Sequence, residues 1–160
     1  ELGHTVIVAG GRQCSCGRLG CWEAYSSATA LTNMTNEKMT ELKLKGVDSL
    51  LFDEAEKSGK VSARTAFNAM KSGDVYGKEL VNNYIHYLAE GVTDMINIFQ
   101  PEILCIGGGV CNEKEYLTVP LNKIINHEQY TRDNANKTKV VTATLGNDAG
   151  IIGAALLCRV

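Results

Sequence analysis

Apolar positions recur along this chain with two different periods, and those periods define its elements. Between Tyr76 and Phe99, the residues Leu80, Tyr84, Leu88, Val92, Met95 and Phe99 follow one another at steps of three and four, and Val81, Ile85 and Ile96 widen the stripe. That spacing predicts a long amphipathic helix, which Pro101 stops. Thr5 to Ala9 is largely β-branched and predicts a short strand. A helix is expected from Trp22 to about Met34, and the charged segment 36–60 reads as helical in pieces. Ser62 stands where an N-cap would, before a helix ending near Lys71, with Ser72-Gly73-Asp74 as the break.

The remaining apolar blocks are shorter. Ile103 to Ile106 predicts a buried strand that runs directly into Gly107-Gly108-Gly109. A helix is expected over about Glu115 to His127, its start limited or bent by Pro120. Val140 to Leu145 alternates as a strand, and Ala149 to Cys158 reads as a helix of small residues. Strands that alternate with helices predict an α/β layered domain.

Composition narrows the function classes. The chain has 160 residues, 44% hydrophobic and 21% charged, which is ordinary for a globular domain and unlike a disordered tail or a disulfide knot. Its net charge of −2 offers no basic surplus for nucleic-acid binding. No apolar run approaches the ~18 residues of a membrane helix. The chain opens on Glu-Leu-Gly-His, with neither the pattern of a signal peptide nor an initiator methionine.

The six cysteines are unevenly placed: Cys14, Cys16 and Cys21 fall in one Gly-rich loop, whereas Cys105, Cys111 and Cys158 are scattered. Clustering of this kind favours a metal site in a cytosolic protein over an oxidised framework. His4, ten residues before Cys14, completes one imidazole and three thiolates, a set that suits closed, structural, tetrahedral zinc. Free thiols and an iron–sulfur cluster are the alternatives, although a cluster normally takes four thiolates.

These residues carry a family resemblance. Glu1-Leu2-Gly3-His4 followed by Cys14-x-Cys16-Gly17-x-x-Gly20-Cys21-x-Glu23 resembles the zinc and sugar signature of the ROK family (repressors, open reading frames, kinases). The likeness runs over essentially the whole chain, including Gly107-Gly108-Gly109 and Gly146-Asn147-Asp148-Ala149-Gly150, and is greatest to the bacterial glucokinase branch.

The resemblance implies an actin-like ATPase (ribonuclease H-like) fold and a cytoplasmic sugar kinase of carbohydrate metabolism. Residues 1–148 would be the C-terminal lobe with its zinc loop at 14–21, and 149–160 a terminal helix packing toward an N-terminal lobe. Ile151, Ile152, Leu156 and Leu157 of that helix would need such a partner, or a second copy. The resemblance also implies that Glu1, His4 and Glu23 contact hexose hydroxyls and that Gly107, Gly108 and Gly109 lie at the adenosine of ATP. His4, Cys14, Cys16 and Cys21 would hold zinc, and ATP would come with Mg²⁺. Each residue also has an ordinary reading. A terminal carboxylate is usually solvated, a Glu at a helix start complements the dipole, and glycines serve tight turns.

No catalytic residue is expected among these residues. The phosphate motif Asp-x-Gly-x-Thr and the general-base aspartate precede Glu-x-Gly-His in the family. The expected partners are a hexose, most readily glucose, ATP, and further copies in a dimer or larger oligomer, with no membrane. The alternative is the effector domain of a sugar-responsive repressor, whose DNA-reading element would lie outside this chain.

Overall fold

The computed structural model describes residues 1–145 and 148–157. Gly146, Asn147 and Cys158, which belong to the expected closing segment and last helix, lie outside the described residues.

The central element is α5, Val75–Phe99. It starts where Asp74 Oδ1 accepts from the Gly77 N–H at 2.7 Å, and it ends at Gln100, whose φ of 43° breaks the helix just before Pro101. Leu80, Val81, Tyr84, Ile85, Leu88, Val92, Met95 and Ile96 on its apolar stripe are buried, as the spacing predicts, whereas Phe99 at its end is exposed.

Shorter helices pack around it. They are α1 (Glu23–Ser26), α2 (Ala28–Lys45), α3 (Leu50–Ser58), α4 (Ala63–Lys71) and α6 (Glu115–Glu128). Phe67 of α4 meets Tyr84 of α5 edge-on, with 6.4 Å between ring centroids, and both rings are buried. Leu31 of α2 and Leu117, Leu121 and Ile125 of α6 complete the core. Removing a large side chain there costs about 3–5 kcal/mol, from lost transfer energy plus the cavity left behind.

Several expectations are corrected. The helix expected over 22–34 breaks at Ser27, whose Oγ accepts from the Ala30 N–H at 3.0 Å and begins α2. α2 then runs on to Lys45 and stops at Gly46, whose φ is 64°; buried Thr35 satisfies its hydroxyl on Leu31 O at 2.7 Å, while Glu37 and Lys45 are exposed. A polar stretch that looked like a helix end is the solvated side of a longer helix.

The strand expected at 5–9 is only a single antiparallel bridge, Val6 to Cys21. Its partner is a short loop, so there is no second extended segment to sustain a ladder.

The sheet has two parallel strands, β1 (Ile103–Ile106) and β2 (Lys139–Thr142), paired Ile103 to Lys139 through Ile106 to Thr142; β1 is not buried as expected, since Ile103 and Cys105 are exposed and Leu104 and Ile106 half-buried. β2 stops short of the expected Leu145. Ala143 N–H still bonds Ile106 O at 2.8 Å, but beyond Ile106 the partner strand has given way to glycines.

Pro120 sits within α6, in its second turn. The last helix, α7, covers Ala149–Leu157, and its Ile151, Ile152, Leu156 and Leu157 are exposed. Among the described residues, no helix is long and apolar enough to cross a membrane.

Candidate functional site

The cysteine segment forms a tight knuckle. An antiparallel bridge joins Gln13 to Leu19, Cys14 N–H donates to Arg18 O at 2.9 Å, and Gly17 N–H donates to Cys14 O at 3.0 Å. The Val6–Cys21 bridge and a 2.8 Å bond from Trp22 N–H to Thr5 O draw the preceding 3-10 turn, Leu2–His4, against it.

His4, Cys14, Cys16 and Cys21 therefore present ligand atoms that all lie within 4.8 Å of one another. His4 Nδ1 is 3.6 Å from Cys14 Sγ, and Cys16 Sγ is 3.7 Å from Cys21 Sγ. With Zn–S near 2.3 Å and Zn–N near 2.05 Å, a tetrahedral ion sets sulfurs about 3.8 Å apart and a nitrogen about 3.6 Å from a sulfur. The donor set and its spacing fit a closed zinc shell.

Electrostatics point the same way. The Cys14 thiol is drawn down to about 6, first by the backbone hydrogen bond from Cys16. Cys21 is pushed up to about 11, first by burial and then by the neighbouring thiols. Three sulfurs this close cannot all ionise unaided, and a divalent cation removes that conflict.

The knuckle is fastened to the helices. Arg12 donates from both guanidinium nitrogens to the Glu37 carboxylate on α2, at 2.8 and 2.7 Å. Its backbone N–H donates to the hydroxyl of buried Tyr25 at 2.6 Å, and the Tyr25 ring lies 4.5 Å from that of Tyr87 on α5. Trp22 Nε1–H donates to Tyr87 O at 3.0 Å. The indole packs against Gly91 so closely that a Cβ there would stand 2.1 Å from Trp22 Cε2.

Glu23 reaches Gly3, and Glu1 reaches the neighbouring His4. The Glu23 side chain folds over Gly3, where a Cβ would stand 3.3 Å from Glu23 Cβ and 3.4 Å from its Oε2. Ser15 Oγ–H donates to Glu23 Oε1 at 3.4 Å. His4 turns Nδ1 toward the thiols and Nε2 outward, 3.6 Å from Glu1 Oε2. One imidazole thus joins the metal-type cluster to the exposed Glu1 carboxylate.

Gly107, Gly108 and Gly109 belong to a second location. The turn follows β1, and Gly108 has φ 94°, which an L side chain rarely adopts. Gly109 lines a cleft of about 430 Å³ with Lys60, Arg64, Phe67, Val110 and Glu113, and no residue of the knuckle takes part.

Sequence reasoning missed Trp22, Gly91, Arg12, Glu37, Lys60 and Arg64. Trp22 had a signal, as the one tryptophan and the residue between Cys21 and Glu23. Arg12 and Glu37 act across 25 positions, and Gly91 meets Trp22 from a distant helix, which no local pattern encodes.

Comparison with known proteins identifies the class and then the family. The fold is shared with actin-like α/β sugar kinases: the structure of a ROK family glucokinase from Streptomyces griseus in complex with glucose and AMPPNP matches with a TM-score of 0.83 at 28% identity, over 99% of this chain and 51% of that one. The ROK family model matches residues 1–160, and the chain belongs to the ROK family. A glucokinase of Halalkalibacterium halodurans is 35% identical over 99% of this chain and 47% of its own length. The xylose repressor of Bacillus subtilis is 25% identical over 96% of this chain and 35% of its own length. The chain spans about half the length of the glucokinases it matches.

Proposed function

We propose that this chain carries the sugar-facing and nucleotide-facing surfaces of an ATP-dependent hexose kinase, with glucose as substrate and glucose 6-phosphate as product. The observation that carries this reading is that Glu23 packs on Gly3 while the neighbouring His4 faces Glu1 with one ring nitrogen and the thiol cluster with the other.

Carboxylates accept hydrogen bonds from sugar hydroxyls, and these charge-assisted bonds are the strong kind. His4 turns Nε2 toward Glu1 while Nδ1 faces the thiols; zinc on Nδ1 would leave the proton on Nε2, free to donate to a hydroxyl. Zinc held by His4, Cys14, Cys16 and Cys21 supplies a structural cross-link that fixes the His4 imidazole and the loop leading to Glu23. Four protein donors leave no open position for substrate.

The Gly107–Gly109 turn and its cleft are assigned to ATP with Mg²⁺. Glycines let a nucleotide approach the backbone closely, and Lys60 and Arg64 on the cleft wall suit an anionic ligand. The general base is assigned outside these residues, since the glucokinase relatives are about twice as long. Phosphoryl transfer depends on positioning and charge stabilisation, so both parts must act together.

A second reading is a sugar-binding effector domain of a transcriptional repressor, favoured by the match to a xylose repressor over 96% of the chain. The test is ATP-dependent phosphorylation by the intact protein, with glucose, N-acetylglucosamine and N-acetylmannosamine assayed side by side. Turnover with glucose leading is the expected result. A hexosamine in the lead overturns the substrate assignment, and sugar-induced thermal stabilisation without turnover overturns the kinase reading in favour of the repressor.

A further inference from the structure

The glycine turn is held through its backbone, Gly108 O accepting from Cys111 N–H at 3.1 Å, and no side chain packs on it. Nothing lies within 4 Å of where a Cβ would stand at Gly107, Gly108 or Gly109. Its position is set by the 3-10 helix Gly109–Glu113 that continues it. Gly109 starts that helix, and from its middle the Cys111 thiol donates to Ile106 O at 3.1 Å and closes the loop onto β1.

At the other end stands Glu113, a carboxylate only 6% exposed, whose Oε2 accepts from Lys71 Nζ at 2.5 Å. Lys71 is the last residue of α4, and its ammonium lies 4.9 Å from the ring centroid of Tyr116 on α6. One ion pair thus joins α4, α6 and the helix that carries the turn. The next residue, Lys114, has φ 51° and ψ −122°, a conformation for which an L-residue needs surrounding contacts to hold it.

Glu113 also lines the cleft, while Lys71 does not. That asymmetry matters for an anionic ligand. With Lys71 in place the carboxylate is compensated, and the cleft's net balance comes from Lys60 and Arg64. With Lys71 removed, a buried and unpaired negative charge would face the same space.

We propose that Glu113, clamped by Lys71, is the positioning residue of the Gly107–Gly109 turn, setting both its placement and the charge balance of the cleft toward a nucleoside triphosphate. This inference rests on the nucleotide reading of that turn. It makes Lys71 a determinant of nucleotide affinity although it does not line the cleft.

The test is a double-mutant cycle in the intact protein, using Lys71→Met, Glu113→Gln and the pair. KM for MgATP, KM for hexose and kcat are measured together, with calorimetric titration of MgATP. Lys71→Met is expected to raise KM for MgATP about tenfold or more, because it strands the carboxylate. Glu113→Gln, which keeps shape and hydrogen bonding, should raise it less. The double variant should recover part of the Lys71→Met loss, a non-additivity that simple loosening would not produce. KM for hexose should stay within about twofold, the range of sites that share no partners.

Should Lys71→Met fail to fold, Glu113→Gln carries the test by the same split between the two KM values. Equal nucleotide affinity in wild type and variants overturns the Glu113 inference alone, as does a parallel rise in both KM values. Absence of MgATP binding by the wild type overturns the nucleotide reading and this inference with it.

Discussion

The indole of Trp22 packs against Gly91, and the approach is close enough that no side chain fits at position 91. Trp22 follows Cys21 and precedes Glu23, so the depth to which α5 admits this ring sets where the knuckle and the Glu23 carboxylate stand. Gly91→Ala forces the indole out or the helix aside, an overpacking that costs about 1–3 kcal/mol. The expected result is a lower midpoint in urea unfolding. Because Trp22 is the one tryptophan in the chain, its emission should also shift to the red. Unchanged emission and midpoint would contradict the packing described.

The zinc assignment makes a direct prediction for Cys16→Ser. Loss of one thiolate opens a four-donor shell, so metal content by atomic emission should fall from about one zinc per chain to well below half. The Trp22 emission should change with it, since the neighbouring loop loosens. Full zinc occupancy in the variant would remove Cys16 from the ligand set.

Glu23→Gln tests the sugar contacts. Loss of charge-assisted bonds of about 1.5–3 kcal/mol corresponds to roughly a ten- to hundredfold rise in the hexose dissociation constant. Zinc content and MgATP affinity should be unaffected, because the carboxylate belongs to neither donor set. A variant that binds hexose as well as the wild type would clear Glu23 of that role.

Asp74 should be costly to lose. Its Oδ1 caps α5 at Gly77 N–H, while its Oδ2 accepts from Ser49 Oγ–H at 2.9 Å and from Leu50 N–H at 2.8 Å at the start of α3. One carboxylate, largely buried, serves two helix starts. Asp74→Ala is expected to destabilise by about 2–3 kcal/mol, roughly two caps' worth, in denaturant unfolding. A loss below that of an ordinary single cap would show that water replaces the side chain at one end.

The Arg12–Glu37 pair gives a pH-dependent prediction. Hydrogen bonding to Arg12 holds the Glu37 carboxyl below its ordinary value. A folded-state value that is depressed contributes stability above the unfolded value and loses it as pH falls through the folded one. Both side chains are partly exposed, so the contribution is below about 1 kcal/mol. Glu37→Gln should be slightly less stable than wild type at neutral pH and indistinguishable below the folded value of Glu37. A gap that persists at low pH would assign the effect to packing.

Much of this protein could be read from local pattern, for a physical reason in each case. The apolar stripe of α5 follows from a period of 3.6 residues, and Pro101 must stop it. His4 with Cys14, Cys16 and Cys21 shares a donor chemistry that spacing alone reveals. The Ser62 cap and β1 running into Gly107 are likewise signals contained within a few residues.

Tertiary structure decided the rest. Thr5 to Ala9 has strand-forming residues but finds only one bridge, since a ladder needs a partner of equal extent. α2 continues past Met34 because its polar residues face solvent, which only the packed fold defines. The attachment of Arg12 to Glu37, of Trp22 to Gly91 and of Glu113 to Lys71 joins residues far apart in sequence. Such contacts depend on how helices cross in space, and no short-range periodicity records that.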